Sequence, residues 1–164
     1  MGIVCEFYLV NDNFIDEFLE NPEALERHFY DNYASPDGEF HDEGENFFYS
    51  DKGWDIASFL ISQNDTSQEK ILSGLLGQPL ENLEGLSYIK TMNVAEMNQI
   101  LNLISPQQIE NAYDESKMQD PYVYKAGYFT KENNWDYILN HVETILKAYS
   151  KAAEKGKGII VCKG

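Results

Sequence analysis

Polar side chains at the start of one predicted helix are the first candidates for chemistry. Asp51, Asp55, Ser58 and Ser62 recur at spacings of three or four residues, and Trp54 lies beside them. Residues with this spacing share one face of an α-helix. A pocket with carboxylates, hydroxyls and an indole could hold a small cationic or polar ligand. The alternative is structural: Asp51 caps the helix, Trp54 is core, and the polar face is solvated.

Histidine and acidic residues give little support for a metal site. The chain has three histidines, His28, His41 and His141, and His41 is followed by three carboxylates in residues 42–45. There is no His-x-x-x-His or Cys-x-x-Cys pair that would make ligands converge, as a metal site requires. We therefore predict no metal site and no cofactor.

Nucleophilic catalysis also lacks a sequence signature. No Gly-x-Ser-x-Gly elbow is present, and Gly74–Gly77 lacks the Lys-Ser/Thr of a phosphate-binding loop. Cys5 and Cys162 lie in apolar runs, where burial disfavours the reactive thiolate. We predict no catalytic residue.

An aromatic segment over residues 122–129 is the second candidate site. Tyr122 and Tyr124 belong to it, and tyrosine is enriched at binding surfaces because it offers apolar area with a polar tip. Trp135 follows, and we expect it to converge with the polar face that starts at Asp51. The alternative is that these aromatic residues close over the core.

The charge of the chain restricts its partners. The 164 residues include 12 basic and 28 acidic ones, a formal net charge of −16. Such a field repels nucleic acid and anionic membranes, and it attracts basic proteins. The alternative is that the net charge only keeps the protein soluble. The sequence does not indicate an oligomeric state.

The N-terminal segment and the cysteines indicate the compartment. Residues 1–10 have no basic stretch and no cleavage site typical of a signal peptide, and no apolar run is long enough to span a membrane. With only two cysteines, a disulfide framework is not expected. We therefore expect a cytoplasmic protein with free, buried thiols. If the two terminal strands pair, the thiols could be close.

Apolar periodicity predicts one α+β domain over residues 1–164. Strands are expected at 2–10, 86–92 and 158–162, with 47–49 either a short strand or an aromatic anchor for a loop at 31–46. Helices are expected after capping residues at 11–13, from Pro22, and after the caps Asp51, Asn93 (a capping box with Glu96) and Ser105 (with Pro106 at the first helical position). A long helix carries Trp135 to Ala153 and stops at Gly156. Both terminal strands are apolar enough to be central. We therefore predict a small mixed sheet that contains both of them, with helices packed on one side.

Motifs along the whole chain resemble the YfbM-like family of small bacterial proteins of unknown function. The residues that carry the resemblance are Asp51–Trp54, Gly77–Leu80, Tyr88–Lys90 leading into Val94–Glu96, Tyr113–Met118, and a long helix followed by a Lys-Gly turn and an apolar strand. The resemblance implies a cytosolic bacterial α+β protein and no established reaction. Members of this family often carry histidine at the positions of Asp55 and Ser58, and this departure argues against catalysis here.

Two functions are therefore left open. The first is an acidic, aromatic surface that binds a basic protein partner, as inhibitors of basic toxins do. The second is a small-molecule-binding protein or hydrolase-like enzyme with a cleft beside the helix that starts at Asp51. The residues proposed to bind a ligand are Asp51, Trp54, Asp55, Ser58, Tyr122, Tyr124 and Trp135.

Overall fold

We describe the protein from a computed structural model that covers residues 2–34, 40 and 43–164. The elements run in the order β1 (Cys5–Val10), α1 (Asp12–Glu20), α2 (Pro22–Ala34), β2 (Phe47–Ser50), α3 (Trp54–Ser62), a 3-10 turn (Ile71–Gly74), β3 (Gln78–Pro79), β4 (Leu86–Ile89), α4 (Thr91–Leu101), α5 (Pro106–Ala112), α6 (Glu115–Gln119), α7 (Lys131–Lys155) and β5 (Gly158–Lys163). Helix α2 thus extends into the predicted loop at 31–46. His41 and the rest of that loop at 35–39 and 42 lie outside the described residues.

The five strands form one sheet in the order β2-β1-β5-β4-β3. The terminal strands are central neighbours, with Phe7 opposite Val161, so the predicted α+β class and the pairing of both termini are confirmed. All four strand pairs are antiparallel, whereas we expected a mixed sheet. Residues 47–49 belong to a strand.

Helices cover both faces of the sheet, so the prediction of helices on one side is wrong. Phe7 and Leu9 face a core built with α3, α4 and α7, while Tyr8 and Val10 face a second core that contains Phe29 of α2. Successive strand residues point to opposite faces. An almost continuous apolar run such as β1 therefore requires cover on both sides.

This alternation separates the two thiols. Cys5 lies in the first core, whereas Cys162 packs against the second, although β1 and β5 are adjacent. Cys5 is a free thiol. Burial raises the pKa of the Cys5 thiol well above its usual range, so this thiol stays protonated and unreactive.

Helix α4 starts two residues before the predicted capping box at Asn93, and that prediction is wrong. The cap comes from a distant residue: Asp12 Oδ1 accepts hydrogen bonds from the backbone N–H of Thr91 at 2.9 Å and from its hydroxyl at 2.8 Å. A carboxylate at this end of a helix satisfies an orphan donor and interacts favourably with the helix dipole. The predicted capping box of Asn93 and Glu96 is therefore not needed to start the helix.

Candidate functional site

Asp51 does not cap α3 with its side chain, contrary to the prediction. The helix begins at Trp54, its N-cap residue is Gly53, and no side chain caps it. Asp51 Oδ2 instead accepts a hydrogen bond of 3.1 Å from the hydroxyl of Tyr137 on α7. Burial, together with this bond to an anion, raises the pKa of Tyr137 to about 12. The carboxylate thus joins the start of α3 to α7.

A buried polar cluster lies behind this contact. His141 Nδ1 and Ser50 Oγ are 3.0 Å apart, and His141 Nε2 has no hydrogen-bond partner among the described residues. Burial lowers the pKa of His141 because it disfavours the imidazolium, and the charge of Asp51 opposes this effect only in part. A β-carbon on Gly53 would lie within 3.0 Å of ring atoms of both His141 and Tyr137, so only glycine allows this close approach.

Ser50 and His141 have the residue types of a nucleophile and its base, but their burial argues against that role. Ser50 is 0% exposed and His141 is 5% exposed. A nucleophile must reach its substrate, and this hydroxyl is closed off from solvent. We therefore interpret the pair as a structural hydrogen bond inside the core.

Trp54, Asp55 and Tyr124, three of the predicted site residues, lie together. The backbone N–H of Tyr124 donates to Asp55 Oδ2 at 2.8 Å, and the rings of Trp54 and Tyr124 stack with centroids 6.2 Å apart. Trp54 Nε1 donates to the Ile3 carbonyl, and the Tyr124 hydroxyl accepts from the Ile3 N–H, each at 3.0 Å. Burial raises the pKa of Asp55, while the Tyr124 bond and the charge of Lys163 oppose the rise. These contacts tie the N-terminal segment to α3.

The remaining predicted site residues lie outside that cluster. Ser58 is buried, and Tyr122 is 80% exposed. Trp135 packs edge-on against Tyr113, with the Lys131 ammonium over its ring. Trp135 therefore contacts the segment before α6 and the first turn of α7, and not the polar face of α3 as expected.

An open cleft of about 500 Å³ lies beside the start of α3, and we call it the α3 cleft. It is lined by Gly2, Asp51, Lys52, Lys125, Tyr128, Phe129 and Tyr137. Asp51 was predicted as a site residue, and Tyr128 and Phe129 belong to the predicted aromatic segment. Sequence reasoning missed Lys52, Lys125 and Tyr137. The only local signal was that Lys52 is adjacent to Asp51 and that Lys125 interrupts the tyrosines.

A second open cleft, of about 520 Å³, lies where the α1–α2 junction faces the β3–β4 hairpin, and we call it the acidic cleft. It is lined by Leu19, Pro22, Gln78, Pro79, Glu81, Asn82 and Tyr88. Glu20 and Glu23 flank Leu19 and Pro22 in the chain, and both are exposed. The sequence predicted an acidic surface without indicating this location.

The described part of the chain offers no group of three or more His, Cys, Asp or Glu side chains arranged to hold a metal ion. In the same residues, every helix is too short or too polar to cross a bilayer.

Comparisons with known proteins identify the family. The model of a protein family described as "Domain of unknown function (DUF1877)" matches residues 1–162. The crystal structure of a protein of unknown function, YfbM from Escherichia coli, superposes with a TM-score of 0.68 at 15% identity, and the match covers 98% of this chain and 99% of that chain. A search of curated protein sequences found no significant match. The predicted YfbM-like resemblance is thus confirmed, and the chain belongs to the DUF1877 family.

Proposed function

We propose that this protein is an acidic binding module that engages a basic protein partner, as an inhibitor or immunity protein does. The observation that carries the proposal is the acidic cleft, whose lining includes the apolar residues Leu19, Pro22 and Pro79. We call Glu81 of the lining, with Glu20 and Glu23 next to Leu19 and Pro22 in the chain, the acidic rim. Leu19 is 40% exposed and lines this cleft together with Pro22 and Pro79. An apolar centre with a polar rim is the usual anatomy of a protein–protein interface.

The acidic rim carries unneutralised charge. Residues 12–31 contain seven acidic residues and one arginine. Asp16 pairs with Lys90, but Glu20, Glu23 and Glu81 are exposed and form no ion pair within the described ranges. A basic partner would supply the missing cations. We expect the contacting segment to present an apolar side chain to Leu19, flanked by lysine or arginine.

The net charge of −16 supports the same class of partner. A negative field of this size speeds encounter with a basic surface, and salt screens it over about 8–10 Å. The same field disfavours nucleic acid and anionic membranes as partners.

We further propose that the protein acts in the bacterial cytoplasm. The free, buried thiol of Cys5 suits a reducing compartment. The family resemblance to small bacterial proteins supports the same assignment.

A capture experiment with matched baits tests the proposal. Purified protein is used as bait in a lysate of its source cells at low salt, and bound protein is eluted with a salt gradient. The first variant bait is Glu20→Lys/Glu23→Lys/Glu81→Lys. A control bait makes the same change in net charge at three exposed residues that lie away from the acidic cleft, Glu69→Lys/Glu96→Lys/Glu132→Lys.

We expect one dominant basic protein that elutes at moderate salt from the wild-type and control baits and is absent from the acidic-cleft variant. Equal capture by both variant baits would contradict the proposed surface, since it would show that the position of the acidic residues makes no difference. Empty wild-type baits would contradict the binding function itself.

A further inference from the structure

We propose that the α3 cleft binds a small aromatic zwitterion, a molecule with a flat apolar body, an anionic group such as a carboxylate, and an ammonium group. The inference is separate from the proposed function because it rests on a different cleft and different residues. The volume of the α3 cleft, about 500 Å³, is within the usual range of small-ligand sites, roughly 300–1,000 Å³.

Three aromatic rings form one wall of this cleft. Phe129 packs against Tyr137 with ring centroids 4.6 Å apart, and Tyr128 meets Phe129 edge-on at 4.9 Å. Tyr128 is 73% exposed, so its ring retains apolar surface that a ligand can cover. Aromatic rings pair favourably in stacked or edge-to-face geometry, so this wall favours a flat ligand.

The cationic end of the cleft is formed by Lys52 and Lys125. Neither forms an ion pair within the described part of the chain, whereas six other lysines do so: Lys90, Lys117, Lys131, Lys147, Lys151 and Lys155. Lys70, Lys157 and Lys163 also form no ion pair among the described residues, but Lys52 and Lys125 are the two that line the α3 cleft together. An anionic ligand group would pair with them.

The position of Lys125 is fixed by its backbone. Its φ of 62° is uncommon for a residue with a side chain. Its carbonyl accepts hydrogen bonds from the N–H groups of Tyr128 at 2.9 Å and Phe129 at 3.0 Å. The ammonium lies 5.4 Å from the Tyr128 ring centroid and 5.5 Å from that of Tyr124. One turn therefore places the Lys125 backbone beside Tyr128 and Phe129, and the ammonium lies against the Tyr128 ring.

The acidic side of the cleft is formed by Asp51. Tyr137 holds one of its carboxylate oxygens at 3.1 Å, and the other oxygen accepts no hydrogen bond from the described residues. A small inorganic anion at the lysines would be repelled by this carboxylate. A larger ligand that carries an ammonium group toward Asp51 complements both charges, and this difference selects a zwitterion over a simple anion.

The test is a titration of isotope-labelled protein followed by NMR. The probes are L-phenylalanine, 3-phenylpropionate, which lacks the ammonium group, and 2-phenylethylamine, which lacks the carboxylate. We expect saturable shifts of the Gly53, Tyr128 and Phe129 amides with L-phenylalanine, with a dissociation constant below about 5 mM. Each probe with a single charge should bind at least about tenfold more weakly, the change expected for losing one charged contact of about 1.4 kcal/mol.

Two variants and one control assign the contacts. Lys125→Met and Asp51→Asn should each weaken L-phenylalanine binding at least about tenfold. Lys157→Met removes a cation beyond the far end of α7 and should leave binding unchanged. Unaltered thermal melting of the variants establishes that they are folded. The proposal is overturned by non-saturable shifts with L-phenylalanine, by equal affinity for the three probes, or by wild-type affinity in folded Lys125→Met and Asp51→Asn.

Discussion

Gly53→Ala tests whether the start of α3 is packed against α7 as closely as described. The backbone at Gly53, with φ −82° and ψ −3°, is accessible to alanine. Without any steric conflict, alanine would stabilise the protein by about 0.4–1 kcal/mol, because it reduces the entropy of the unfolded chain. The sign of the effect therefore reports on the contacts of the added methyl group alone.

The contacts predict the opposite sign. The new β-carbon would lie within 3.0 Å of the rings of His141 and Tyr137, and the His141 side chain is only 5% exposed. Forcing an extra carbon into a packed core costs about 1–3 kcal/mol. Allowing for the unfolded-state gain, we expect the free energy of unfolding to fall by about 1–2 kcal/mol. For a chain of this size, the melting temperature should fall by about 2–8 °C.

Urea unfolding followed by tryptophan fluorescence measures this change, with Gly127→Ala as the control. A β-carbon at Gly127 would meet nothing within 4 Å, so we expect a neutral or slightly stabilising effect there. In a His141→Ala background, the cost of Gly53→Ala should shrink, because one of the two obstructing rings is gone. If Gly53→Ala proves as stable as Gly127→Ala, the described packing between α3 and α7 is wrong.

Three further substitutions test the core and the helix caps. The pKa of His141 is lowered in the folded protein, where it lies beside Ser50, Tyr137 and Asp51. Below about pH 6.5 the unfolded chain therefore binds more protons than the folded one, and stability should fall as the pH falls. His141→Gln should show a shallower fall in melting temperature between about pH 7 and pH 5. Tyr149→Phe removes a buried hydrogen bond of 2.6 Å to the Leu75 carbonyl and should lower the free energy of unfolding by about 1–3 kcal/mol in urea titrations. Ser105→Ala breaks the capping box of α5 and should cost about 0.5–2 kcal/mol by the same assay, whereas no loss would show that this cap is dispensable.

The sequence predicted elements whose signals are local. The apolar run of β1 indicated a central strand, Ser105–Pro106 predicted the cap and start of α5, and Gly156 was predicted to end α7. In each case a few neighbouring residues supply the physical cause, so no distant contact is needed to predict the outcome.

The features that were predicted wrongly or missed are contacts between residues far apart in the sequence. Asp12 caps α4 from 79 residues away, and Tyr137 binds Asp51 across 86 residues. Lys52 and Lys125 meet at one cleft only because the fold joins two segments that each read as ordinary surface. Composition predicted an acidic protein, but the position of the acidic rim beside Leu19 depends on how α1, α2 and the β3–β4 hairpin pack.

The most direct test of the central claim is the association rate of the captured partner as a function of ionic strength. The wild-type protein and the Glu20→Lys/Glu23→Lys/Glu81→Lys variant are compared by surface plasmon resonance. The proposed acidic cleft predicts that the wild-type rate constant falls at least about tenfold between 0.05 and 0.5 M salt, and that the variant associates more slowly at low salt and with a shallower salt dependence. Identical rate constants for the two proteins at every salt concentration would contradict the claim.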